Sequence, residues 1–185
     1  MKITYGDRYV DIFDDMFYAI GSADNKYKYD NVIDCTGGFC PSNKVGLQCR
    51  NDDVVFASIL LLGGGGSTGL GEHTAAINGD SLFVGCGDSV LSIALPMLRV
   101  NWKTICDQVA CFEVFYNKTH NCIIVHGELE ISRIETNGTK TWSTSGNDIF
   151  SGSFCVLDDH IVAEDFNNEF YKIDIATGET QLTNR

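Results

Sequence analysis

A chain of 185 residues has the length of one ordinary domain. Apolar residues make up 44% and charged residues 21%, enough to build a core and too apolar for a disordered chain. Asp and Glu outnumber Lys and Arg by 25 to 13, and the net charge of −12 argues against a nucleic-acid binder, which needs Lys and Arg to neutralise phosphates. No run of about 18 apolar residues predicts a membrane span.

The chain opens Met1-Lys2-Ile3-Thr4-Tyr5 without the apolar core of a signal peptide, so a cytosolic protein is expected. Tyr9–Phe13 and Met16–Ile20 read as a hairpin around Asp14-Asp15. The stretch holding Cys35, Gly37, Gly38, Cys40 and Pro41 reads as loop. Val54–Leu62 is interrupted only by Ser58 and reads as a buried strand. Residues 1–72 thus read as one divergent unit, which either closes a ring with residues 73–185 or caps an open stack.

Eight cysteines suggest disulfides only in an exported chain, and five of them (Cys86, Cys106, Cys111, Cys122, Cys155) lie in or beside apolar runs as small core residues. Cys35, Cys40 and Cys49 lack the close-spaced pairs of a structural zinc site, and no metal is expected. Asn117-Lys118-Thr119 and Asn137-Gly138-Thr139 match glycosylation sequons, which carry no meaning without export.

Residues 63–71 read Gly-Gly-Gly-Gly-Ser-Thr-Gly-Leu-Gly. Consecutive glycine amides could form an anion nest, but a P-loop would need Lys followed by Ser or Thr. A flexible connection to the next unit is the simpler expectation. Gly65–Gly69 also matches the Gly-x-Ser-x-Gly elbow around Ser67, although no helical pattern follows it.

From residue 73 the chain repeats. Trp102 and Trp142 stand 40 residues apart in the same setting. A strand (Ser81–Gly85), a turn at Gly87-Asp88 and a strand (Val90–Leu95) precede Trp102. Cys122–His126, a turn at Gly127-Glu128, Leu129–Ile134 and Asn137-Gly138 precede Trp142. A third copy runs through Ile161–Glu164, Asn167-Asn168, Phe170–Ile175 and Thr177-Gly178, with Gln181 in the tryptophan position. Lead-in strands fall at Thr74–Ile77, Phe112–Phe115 and Phe154–Leu157. Four short antiparallel strands per period of about 40 residues predict propeller-like blades. The expected fold is all-β: a stack of four-stranded antiparallel blades, three clear ones over 73–185 plus the divergent unit over 1–72. The recurring tryptophans are expected to pack between blades.

The strand, tight turn, strand, Gly-containing turn and Trp order resembles the blade repeat of the quinoprotein (PQQ-type) β-propellers. Leu129–Trp142 and Phe170–Glu179 carry the likeness best. It implies architecture. It carries over no cofactor and no catalytic residue, because enzymes of that class use a full ring of blades.

The candidate site residues are Glu72, His73, His126, Glu128 and Asp148. His126, Glu128 and Glu130 are spaced by two and would share one face of an unbroken strand, but a turn at Gly127-Glu128 breaks that alignment. Asp88, Glu128 and Asp165 fall at equivalent turns on one rim, and Asp107 and Asp148 fall in connections to the next blade. All five are expected as solvated turn carboxylates. His120 and His160 fall at strand-entry turns. Residues 158–185 hold seven acids and two basic residues, a solubilising face or one suited to a basic partner.

Three functional readings emerge, two of them leading. One is a non-catalytic protein- or ligand-binding module of the cytosol, of the immunity or interaction type, meeting a basic protein. The other is a metal-dependent or acid–base enzyme for a small ligand beside Gly63–Gly71. A third reading is a structural piece whose open edge strand pairs with another copy.

Overall fold

The computed structural model describes residues 1–183, and these form seventeen strands and no helix. The strands make four sheets, labelled blades I to IV. Blade II is β6 (Ala75–Asn78), β7 (Ser81–Cys86), β8 (Ser89–Ala94) and β9 (Arg99–Ile105). Blade III is β10 (Cys111–Asn117), β11 (Cys122–Gly127), β12 (Ile131–Glu135) and β13 (Lys140–Thr144). Blade IV is β14 (Phe154–Val156), β15 (His160–Glu164), β16 (Phe170–Asp174) and β17 (Thr180–Thr183). Each runs as an antiparallel meander in chain order, as the repeat predicts. β12 begins at Ile131, so Leu129 and Glu130 belong to the preceding turn and not to the strand expected there.

Blade I differs more. It holds β1 (Lys2–Tyr5), β2 (Arg8–Asp14), β3 (Asn31–Cys35), β4 (Asn43–Asn51) and β5 (Val54–Gly63) in the order β1-β2-β4-β5-β3, with β3 parallel to β5. The expected hairpin is absent. β2 pairs with β1 and β4, and Met16–Ile20 forms no strand. The loop expected around Cys35 is confined to residues 36–42, between β3 and β4. Val54, Val55 and Phe56 stay exposed, and the fully buried part of β5 begins at Ala57.

The Met16–Ile20 strand fails because this segment serves a different surface. Val10, Ile12, Val45, Leu47, Ile59 and Leu61 bury one face of blade I against blade II. Leu60 and Leu62 point to the opposite face and are also buried. Residues 15–30 supply the cover. Tyr29 Oη sits over Gly46 and donates to Asp15 Oδ2 at 2.8 Å. Phe13 and Tyr27 pack with ring centres 4.6 Å apart. Lys44 Nζ donates to the Met16 and Tyr18 carbonyls, and Asp30 accepts from Ser58. The end face of the first blade is thus capped by its own chain, a device of terminal repeats.

Three hydrophobic clusters join the blades in series: I with II, II with III, and III with IV. The tryptophans dock each blade on the next. Trp102 Nε1 donates to Thr136 O at 2.9 Å and its ring lies on Gly138; Trp142 Nε1 donates to Ile175 O at 3.0 Å and its ring lies on Gly178. Both glycines have positive φ, and a Cβ on either would stand 2.8 Å from the indole, so turn geometry and packing both require glycine. In blade IV the partnered positions are Lys172 and Gln181, where blade III has Arg133 and Trp142.

The glycine run is also a packed element, against the expected flexible connection. Gly63 abuts Cys86 and Gly65 abuts the Val109 carbonyl, at distances that leave no room for a side chain, and Gly64 lies close against Thr36. Gly66 N donates to Val109 O. The same rim carries Glu128 N→Ala110 O, Phe150 N→Glu128 O and Phe166 N→Ile149 O, so the inter-blade connectors are tied to the β11–β12 and β15–β16 turns.

Candidate functional site

A concavity lined by polar and aromatic groups lies where the glycine-rich strap passes β10, β11 and β14. The cleft has a volume of about 450 Å³ and is lined by Ser67, Thr68, Gly69, Gly71, Phe112, Glu113, His126, Gly152 and Phe154. Residues 63–71 are followed by β6, so Ser67 does not stand on the strand–helix turn of a nucleophile elbow. Thr68 is held by its backbone N–H and hydroxyl, which both donate to Asn43 Oδ1.

His126 forms the floor. Its side chain is 7% exposed. Nδ1 lies 2.9 Å from Glu113 Oε2, and Nε2 lies 3.1 Å from the Phe150 carbonyl. That carbonyl only accepts, so Nε2 carries a proton. Both ring nitrogens are thus occupied within the protein, Nδ1 by the Glu113 carboxylate and Nε2 by the Phe150 carbonyl.

Aromatic rings surround this unit. Phe154 stacks on the imidazole at 4.1 Å with 4° between planes, and Phe112 meets it edge-on at 5.6 Å. Phe115 lies 5.6 Å from Phe154, and His73 lies 4.5 Å from Phe115. The result is a continuous ladder, His73–Phe115–Phe154–His126–Phe112, that starts just before β6 and crosses β10, β14 and β11. A register shift in the β10–β11 pairing falls between Cys111 and Glu113 and leaves Phe112 as the extra, unpaired residue. Such bulges re-aim a side chain, here toward the cleft.

Of the five residues singled out from sequence, His126 lines the cleft and His73 reaches it through the ring ladder. Glu72 is exposed beside His73, between the strap and β6. Glu128 is half-buried in the β11–β12 turn, where its backbone makes the connector bonds described above. Asp148 is exposed in the blade III–IV connector and accepts from Ile149 N and Asn167 Nδ2. The β11 strand ends at Gly127, so His126, Glu128 and Glu130 do not share a face. Among the described residues no group of three or more His, Cys, Asp or Glu stands ready to hold a metal ion.

Sequence reading missed Glu113, Phe112 and Phe154. Glu113 was accessible from the hairpin register, since pairing Asn117 with Cys122 places it opposite His126. The bulge that aims Phe112 left no such signal.

Two rim carboxylates are buried and not solvated as expected. Asp107 is 2% exposed: Oδ1 accepts from Val109 and Ala110 N, and Oδ2 from Leu129 and Glu130 N, the latter two at 2.8 Å. Asp165, also 2% exposed, accepts from Tyr171 Oη and from the backbone of Asn167 and Glu169. Burial pushes the Asp165 carboxyl up, but these donors outweigh it and hold the group below the usual carboxylate value. The same burial raises the Tyr171 phenol to about 12 and the Cys122 thiol to about 11. Cys35, Cys49 and Cys86 also lie above the ordinary thiol value through burial, so these four cysteines are core groups and poor nucleophiles.

No protein-family model and no curated protein sequence matches the chain. Solved structures do. BamB from Moraxella catarrhalis superposes with a TM-score of 0.54 at 12% identity, over 98% of this chain and 60% of that one. The β-propeller domain of Cps50 (Swd1) from Myceliophteria thermophila gives 0.50 at 15% identity, over 62% and 38%. A computationally designed protein, Ika8, gives 0.53 at 13% identity, over 77% and 45%. The chain spans between about two fifths and three fifths of these structures. The four sheets resemble β-propeller blades, which agrees with the blade resemblance read from sequence.

Proposed function

We propose that this protein is a non-catalytic binding module of the cytosol that engages a protein carrying a basic surface. The propeller fold supports a protein partner in general, because WD40 propellers commonly serve as interaction modules. The net charge of −12 supports a basic one, through steering and complementarity. The observation that carries the reading away from chemistry is the Glu113–His126 unit. Both nitrogens of the cleft histidine are already bonded within the protein, which suits a fixed recognition surface. Neutralisation of a basic effector, as immunity proteins perform, is one form this binding would take.

The test is capture from the cells that make the protein, with the chain immobilised and the salt graded. A single basic protein is expected at low salt and is expected to elute as salt rises. Recovery of no partner at any salt concentration would contradict the reading.

A further inference from the structure

We infer that the cleft beside the glycine-rich strap is an arginine-binding site, taking one guanidinium from the basic partner; this rests on the binding-module reading and names its contact. Glu113 uses Oε2 for His126, and its other oxygen makes no hydrogen bond among the described residues. The Glu113 side chain is 31% exposed, so that oxygen is within reach of a ligand. Phe112 and Phe154 flank it, both half-buried and both lining the cleft. The carboxylate oxygen attracts positive charge, and so does the phenyl ring of Phe112; one face of Phe154 is already stacked on His126. Ser67 adds an exposed hydroxyl, and no Lys or Arg side chain lines the cleft to repel a cation.

A guanidinium fits this set better than an ammonium. It is planar, so it lies on a phenyl face while an N–H in its own plane reaches the carboxylate. It is also weakly hydrated and loses less on entering a half-buried cleft. The Phe112 bulge shows that the strand departs from regular pairing where the ring is needed. His126 holds Glu113 from behind, so the acceptor is pre-positioned and little side-chain freedom is lost on binding.

The experiment is an NMR titration of the full chain with the tripeptide Gly-Arg-Gly, and in parallel with Gly-citrulline-Gly, which keeps the shape and removes the charge. Gly-Arg-Gly is expected to shift resonances of Ser67, Phe112, Glu113 and Phe154, and the citrulline peptide to leave them in place. Glu113→Gln is expected to weaken the arginine peptide about tenfold. Because that change also removes a charge beside His126, Phe112→Ala serves as the second variant; it keeps both hydrogen-bonding partners, Glu113 and His126, and is expected to cost about threefold. Equal shifts from both peptides would overturn the inference. So would shifts confined to other surfaces, or unchanged affinity in both variants. A silent cleft alongside salt-sensitive capture of a basic protein would sink this site and leave the binding-module reading standing. Arginine binding with no protein captured would support the site and remove the wider reading.

Discussion

Single residues decide how the connectors are held. Asp107 places one carboxylate against four backbone N–H groups from two segments, the blade II–III connector and the β11–β12 turn. Asp107→Ala would orphan these donors in a buried setting, and a loss of about 2–4 kcal/mol is expected by urea denaturation. A loss below about 0.5 kcal/mol would show that water replaces the carboxylate without penalty. Asp165 gives a pH signature. Its folded value lies below the ordinary one, so its stabilisation is complete above the ordinary carboxylate range and is lost as pH falls through the depressed value. Asp165→Asn should therefore flatten the acid limb of the stability curve, and an unchanged limb would refute the assignment. Sequence identified both residues as turn acids but not as buried ones. Burial here depends on which backbone amides a neighbouring blade brings in, and that information is not local.

At the scale of elements, docking between blades is the repeating physical theme. The Trp–Gly pairs are one half of it, and the connector bonds on the rim are the other. Gly138→Ala combines a positive φ with a Cβ driven into the Trp102 ring, so a loss of about 2 kcal/mol or more is expected in thermal unfolding. Thr139→Ala, one residue on and exposed, serves as a control expected to change stability by under about 0.5 kcal/mol. A null effect of Gly138→Ala would mean that the indole moves away freely. These elements were legible because the period places Trp102 and Trp142 forty residues apart, with a turn glycine before the second. Blade I was not. Its parallel strand, and the use of residues 15–30 as a cover, come from capping an end face and not from any strand pattern in Met16–Ile20. The glycine run misled for a related reason: close backbone approach and flexibility favour the same residue.

The whole molecule is a series of blades with unlike ends. The first end face is covered by Phe13, Tyr27 and Tyr29. On the last blade the buried side alternates with an outer one: Ile161, Ala163, Tyr171 and Ile173 face blade III, while Lys172 and Asp174, which alternate with them on β16, are exposed. In such a series stability is a sum over neighbours, and end units with one interface are weaker. Hydrogen exchange should be slowest in β7, β8 and β11, which are buried on both faces, and fastest in β14 and β17. Uniform protection would indicate one indivisible cooperative unit.

Binding of a basic partner at the cleft would be read out by a hydrogen-exchange footprint of the chain with its captured partner. Protection is predicted in residues 67–71, in β10 around Phe112 and Glu113, and at 152–154. Protection restricted to the outer face of blade IV, or to the 15–30 cover, would contradict binding at the cleft and move the interface elsewhere.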